Sequence, residues 1–164
     1  EQNPQYPEIN IGIGLNSGEM TVGNVGGKDR FDYTVLGDNV NLGSRLEGLT
    51  KKYGVVVIAS ESTKNGVNDS EIGFRFLDEV KVKGKNDAVK IYEPYRKGIQ
   101  EVEERVEIYE EGFKLYQLGQ FILAEEVLKK NMSDKPTMLL LERVQDFLKN
   151  PPKDWHGVWK WEEK

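Results

Sequence analysis

The sequence predicts an α+β fold followed by an all-α helical extension. Three observations carry that prediction. Residues 9–93 are rich in Gly and β-branched residues, often alternating at strand spacing. One clear helical repeat, Leu42, Leu46, Leu49 and Tyr53, interrupts them. Residues 101–149 then change texture to Glu, Lys and Leu. The change falls at Glu93-Pro94-Tyr95-Arg96-Lys97-Gly98 and reads as a boundary between a first part, 1–97, and a second, 98–164.

Ile9 to Leu15 alternates apolar with small or polar residues and reads as a half-buried strand. Asn16-Ser17-Gly18-Glu19 is a turn and Met20 to Val25 a second strand, so the pair is expected to form a hairpin. Gly26 to Arg30 is a loop and Phe31 to Leu36 a third strand. A helix is expected from about Asp38 to Tyr53, ended by Gly54. Val55 to Ala59 reads as a buried strand, and Ser60 can cap a short helix through Val67. Phe74 to Val82 and Ala88 to Tyr92 are the last strands. The extension reads as a helix pair, 101–118 and 120–132, then a third helix, 135–149, stopped by Asn150-Pro151-Pro152. The tail holds Trp155, Trp159 and Trp161 and is expected to pack back on the helices.

Composition excludes several function classes. The chain has 164 residues, 37% hydrophobic and 31% charged, a globular balance. Its formal net charge of -5 offers no basic field, so nucleic acid is not an expected partner. Without cysteine there is no disulfide framework, zinc finger or cysteine nucleophile, and one histidine excludes a multi-histidine metal site. The longest aliphatic runs are too short to span a bilayer. The chain starts at Glu1 without a Met, and a fragment of a longer protein is expected.

The glycines do not form a phosphate loop. Gly12-Ile13-Gly14-Leu15-Asn16-Ser17-Gly18 has its third glycine one residue late for a dinucleotide fingerprint. Gly27-Lys28 is followed by Asp29, and position 22 is Val where a P-loop needs Gly. Hairpin turns are the expected role of these glycines. His156 sits in a Pro- and Trp-rich tail and reads as a packed or exposed histidine rather than a catalytic one.

The segment Phe31 to Glu47 carries more. It reads as a strand, a Gly turn and a helix. Asn41 and Arg45 are four apart, share one helical face, and lie beside the leucine stripe rather than opposite it. Arg offers a planar fork of donors for phosphate oxygens, and Asn can bond a hydroxyl or ring oxygen. Spacing alone leaves an ordinary solvated pair open. Thr34-Val-Leu-Gly-Asp-Asn-Val-Asn41-Leu-Gly-Ser-Arg45-Leu-Glu resembles the signature of class III nucleotide cyclases. Residues 11–26 resemble the hairpin that precedes it, and Val82-Lys83-Gly84-Lys85 with Ile91-Tyr92 resembles the closing strands. The resemblance covers about residues 9–95.

The resemblance implies the C-terminal portion of a ferredoxin-like nucleotide cyclase domain, part of an enzyme making cyclic AMP from ATP. It implies that Asn41 orients the ribose and that Arg45 stabilises charge on the phosphates as the 3′-oxygen attacks. Thr34 would read the purine and leans towards ATP, and Lys83 would contact the terminal phosphates. The family's two metal aspartates lie upstream of the hairpin, so the Mg²⁺ or Mn²⁺ of the complete enzyme has no ligands here. Asp29, Asp32 and Asp38 match no metal position. The chain is therefore expected to be inactive alone. Sites of this family form between two chains, and exposed sheet edges invite pairing, so a homodimer is expected, with strand exchange as one route. The expected location is cytoplasmic, with an upstream membrane anchor left open.

Gly112, Gly119, Phe121, Ala124, Leu128 and Pro136 resemble the spacing of a tetratricopeptide helix pair, a type of repeat that can bind protein partners. An ordinary helical hairpin, packed on the first part through Met138 to Leu141, Val144 and Leu148, is the preferred reading. The alternative to an enzyme is a non-catalytic dimerisation or interaction module derived from a cyclase.

Overall fold

The computed structural model describes residues 9–27, 30–81 and 88–157. Six strands and five helices occur among them: β1 (Ile13–Leu15), β2 (Thr21–Gly27), β3 (Arg30–Leu36), α1 (Asp38–Tyr53), β4 (Val57–Ser60), α2 (Glu61–Gly66), β5 (Ile72–Val80), β6 (Val89–Arg96), α3 (Gln100–Gln117), α4 (Phe121–Leu128) and α5 (Lys135–Lys149). One sheet has the order β1-β4-β6-β5, and β2 with β3 forms a separate two-stranded ribbon. The mixed α+β class is as the sequence predicts.

The pairing differs from the expected hairpin. β1 pairs parallel with β4, Ile13 opposite Val57, while β2 pairs antiparallel with β3. Alternation sets the two faces of a strand but not its partner. The half-buried reading of residues 9–15 also inverts. Only Ile13–Leu15 is strand, and Ile11, Ile13 and Leu15 are exposed. The buried side belongs to Gly12 and Gly14. A Cβ at Gly14 would overlap the Gly43 carbonyl and the Glu47 amide, and one at Gly12 would overlap the Thr50 hydroxyl. Glycine here allows α1 to lie directly on the strand.

α1 starts after Gly37, whose φ of 144° suits glycine, and ends at Gly54 in the left-handed conformation, φ 67°. Ser60 caps α2 by accepting from the Thr63 amide at 3.3 Å. β6 continues through Pro94 to Arg96, further than the expected end at Tyr92. Its pairing with β4 involves only Ile91 and Tyr92, so Pro94 lies where β5 is the one strand beside it. α4 is shorter than expected, ending at Leu128.

Two apolar clusters form the core. The first joins Leu42, Leu46 and Tyr53 of α1 to Ile58, Leu77, Val80 and Ile91 of the sheet. The second joins Tyr109, Phe113 and Tyr116 of α3 to Ala124 and Leu128 of α4 and to Leu140, Leu141 and Val144 of α5. Phe76 of β5 packs on the second cluster and Leu139 of α5 on the first, so sheet and helices are interleaved. Of the residues expected to fix the third helix, Leu140, Leu141 and Val144 are buried, whereas Met138 and Leu148 are exposed. Gly112 brings α3 against α4, since a Cβ there would overlap Leu128. The Trp155 indole donates to the Tyr116 carbonyl at 2.9 Å and stacks edge-on to Tyr116 and Phe147. Trp159 and Trp161 lie outside the described residues.

Candidate functional site

The candidate site is built where β3 turns into α1. Thr34 is half-buried near the end of β3, opposite Gly23. Gly37 makes the turn, and Asp38 places a carboxylate in the first turn of α1, where the helix dipole favours it. Asn41 is exposed and Arg45 half-buried, one turn apart on the flank of the Leu42/Leu46 stripe. Lys83 lies outside the described residues. The structure therefore places Thr34, Asn41 and Arg45 along one strand-turn-helix unit.

Arg45 differs from the other arginines whose side chains are described. Arg75 pairs with Glu93 and Asp134, Arg96 with Glu71, Arg105 with Asp134, and Arg143 with Asp78. Of the arginines whose side chains are described, Arg45 alone has no carboxylate partner among the described residues. Asn41 likewise uses no side-chain hydrogen bond there. A half-buried guanidinium without a counter-charge is poised to take an anion.

The start of α1 is held in place by contacts that sequence reading missed. The Asn39 amide donates to the Glu19 carbonyl at 2.9 Å, and Asn16 donates to the Asn39 carbonyl at 2.9 Å. The Ser62 hydroxyl donates to the Ser17 carbonyl at 2.7 Å, tying α2 to the same turn. A polar cavity of about 300 Å³ lies here, lined by Asn16, Ser17, Asn39, Ser60 and Ser62 among others, and not by Thr34, Asn41 or Arg45. Short polar side chains before a helix were legible only as a turn.

The far end of α1 is held by a buried polar cluster. The Tyr53 hydroxyl donates to Asp78 at 2.6 Å, and Arg143 of α5 donates to the same carboxylate oxygen at 2.7 Å. All three residues are buried. Burial pulls Arg143 towards neutrality, but Asp78 together with Tyr53 and Tyr109 outweighs it and the guanidinium pKa is raised. Burial, then Asp78, pushes the Tyr53 phenol far above its ordinary value. A bulge delivers Asp78: Phe76 faces Tyr92 and Asp78 faces Ile91, leaving Leu77 as the extra residue. Nearby, Arg75 is fully buried, contacts Glu93, and donates to Asp134 at 2.8 Å. Asp134 in turn caps α5 by accepting from Thr137. The sequence signals were charges inside apolar stretches, Arg75 between two Phe and Arg143 beside Val144.

Among the described residues, no group of three or more His, Asp or Glu side chains is arranged to hold a metal ion. The described residues therefore offer no ligand set for the metal pair that the cyclase resemblance implies. Nor is any described helix long and apolar enough to cross a membrane.

Comparison with known proteins places this geometry in context. The adenylate and guanylate cyclase catalytic domain family matches residues 1–93. An adenylate cyclase of Anabaena cylindrica is 46% identical over 89 residues, covering 53% of this chain and 18% of that protein. The terminal-differentiation specific adenylate cyclase of Dictyostelium discoideum is 33% identical over 159 residues, covering 88% of this chain and 7% of that protein. Adenylate cyclase 1 of Rhizobium meliloti is 44% identical over 87 residues, covering 53% of this chain and 13% of that protein. The chain thus spans less than a fifth of these relatives. A solved bacterial light-regulated adenylyl cyclase covers 50% of this chain and 22% of its own, at 30% identity and a TM-score of 0.43.

Proposed function

The chain belongs to the adenylate and guanylate cyclase catalytic domain family, and from that premise we propose that it is part of an adenylate cyclase converting ATP to 3′,5′-cyclic AMP and diphosphate. The carrying observation is Arg45, which has no carboxylate partner among the described residues and stands one turn from Asn41, whose side chain makes no hydrogen bond among them. In this reading Asn41 holds the ribose so that its 3′-oxygen faces the α-phosphorus. Arg45 meets the negative charge that grows on the phosphate oxygens as diphosphate leaves. The Thr34 hydroxyl accepts from the adenine amino group, and Lys83 contacts the terminal phosphates. The Mg²⁺ or Mn²⁺ of the complete enzyme would be held by carboxylates other than those of the described residues and would activate the 3′-hydroxyl.

The active enzyme is a homodimer in this proposal, working in the cytoplasm with each chain supplying part of a site. The exposed apolar face of β1 and the ribbon residues Val22, Tyr33 and Leu36 support an interface there. The close α3–α4 approach at Gly112 supports a tetratricopeptide-like extension, with a protein partner as its further reading.

Cyclic AMP formation from ATP with Mn²⁺ tests the proposal on this chain and on the same chain extended upstream through the rest of the catalytic domain. Activity is expected only in the extended form. Arg45→Ala in that form is expected to lower kcat at least about tenfold, or about 1.4 kcal/mol of barrier. A smaller loss removes the assigned role, and an extended form without activity favours an interaction module.

A further inference from the structure

The helical extension reaches into the cyclase core at a buried polar point that also touches α1. Tyr53 is the last residue of α1, and its hydroxyl shares the Asp78 carboxylate with Arg143 of α5. Asp78 is 2% exposed and Arg143 6%. The Arg143 guanidinium also lies 3.5 Å from the Tyr53 hydroxyl. Two hydrogen-bonded charges shielded from water hold their geometry far more tightly than surface pairs do. Arg45 lies eight residues from Tyr53, about 12 Å along a helix at 1.5 Å per residue. Tyr53, Arg45 and Asn41 belong to one unbroken helix, so the position of its C-terminal end bears on where Arg45 and Asn41 stand. The opposite end is fixed separately, by Asn39 to the β1–β2 turn. The Dictyostelium alignment covers 88% of the chain, so it runs past the cyclase match into the segment that forms α3–α5.

We propose that Arg143 is a positioning residue of the cyclase reaction: through Asp78 and Tyr53 it fixes the C-terminal end of α1 and so sets where Asn41 and Arg45 stand. This rests on the cyclase reading of Asn41 and Arg45. The helical extension is then a working part of the catalytic unit.

The test uses the complete enzyme containing this chain, with kcat and KM for ATP measured per folded molecule. Four variants are compared: Arg143→Met, Arg143→Lys, Tyr53→Phe and Val144→Ala. Val144 is buried one residue away and outside the polar cluster, so its truncation weakens α5 without touching Asp78. A misplaced Arg45 loses contacts made in the transition state, so Arg143→Met is expected to lower kcat about tenfold with KM changed less than about threefold. Lys, which keeps the charge, should recover part of that loss. Tyr53→Phe keeps the packing and should lower kcat about threefold. Val144→Ala should leave kcat per folded molecule within about twofold while lowering the melting temperature.

The inference is overturned if Arg143→Met keeps wild-type kcat per folded molecule, if only KM moves, or if Val144→Ala matches its loss. Should Arg143→Met not fold, Tyr53→Phe decides in the same terms. A wild-type enzyme that makes no cyclic AMP sinks the cyclase reading and this inference with it. An active wild type with unaffected variants sinks this inference alone.

Discussion

Arg45 and Arg143 carry the same side chain into opposite settings. Arg45 stands half-buried with no carboxylate partner among the described residues, whereas Arg143 is buried against Asp78. The first is available to a ligand, and the second holds helices together. Tyrosines show the same dependence on surroundings. Tyr53, Tyr109 and Tyr116 are all buried, and burial raises the pKa of each phenol. Above pH about 10 the unfolded chain releases phenolic protons that the folded chain keeps. Stability is therefore unaffected by these groups below that pH and falls above it, by about 1.4 kcal/mol per pH unit for each buried tyrosine. Urea unfolding at pH 10 to 11.5 should show this slope, and Tyr53→Phe should remove about a third of the three-tyrosine effect. An unchanged slope in the variant would show that Tyr53 titrates alike in both states.

At the scale of elements, α1 is positioned by the absence of side chains beneath it. Gly12 and Gly14 let the helix approach β1 until a single added carbon at Gly14 would strike helix backbone. Backbone cannot swing aside as a side chain can. Gly14→Ala is expected to destabilise by about 1–3 kcal/mol, read by chemical denaturation. Gly48, also on α1, faces open space. Gly48→Ala should stabilise by up to about 1 kcal/mol, because only helix propensity changes. Equal effects of the two substitutions would contradict the close approach. The buried ion pairs work at this scale too, since Asp134 both caps α5 and receives Arg75 of β5.

For the whole molecule, sheet and helical extension share buried charges. Ending the chain at residue 98 removes Asp134 and Arg143, the partners of Arg75 and Asp78. It also uncovers Phe76. Breaking one such buried pair costs about 3–5 kcal/mol, a large part of a typical domain's stability. The truncated chain is expected to lose cooperative unfolding by circular dichroism. A truncated chain melting at the temperature of the full chain would show that the shared charges contribute little. β1 and the β2–β3 ribbon, by contrast, leave Ile13, Leu15, Val22, Tyr33 and Leu36 exposed.

The sequence by itself determined the kinds of element and most of their extents. Leu42, Leu46 and Tyr53 define a helix whatever lies beyond it, and Ser60 caps the next from three residues away. Such signals are local, because a helix closes its hydrogen bonds within one turn. It also singled out Thr34, Asn41 and Arg45 through a contiguous strand-turn-helix motif. Tertiary structure decided the rest. β1 chose β4 over β2 because a strand's partner is set by what packs on its faces, and here that was α1 on two glycines. Asp78 met Tyr53 and Arg143 across 25 and 65 residues of chain, through a bulge that no periodicity announces. Pairing between distant charges depends on where the elements come to rest, which spacing along the chain does not encode.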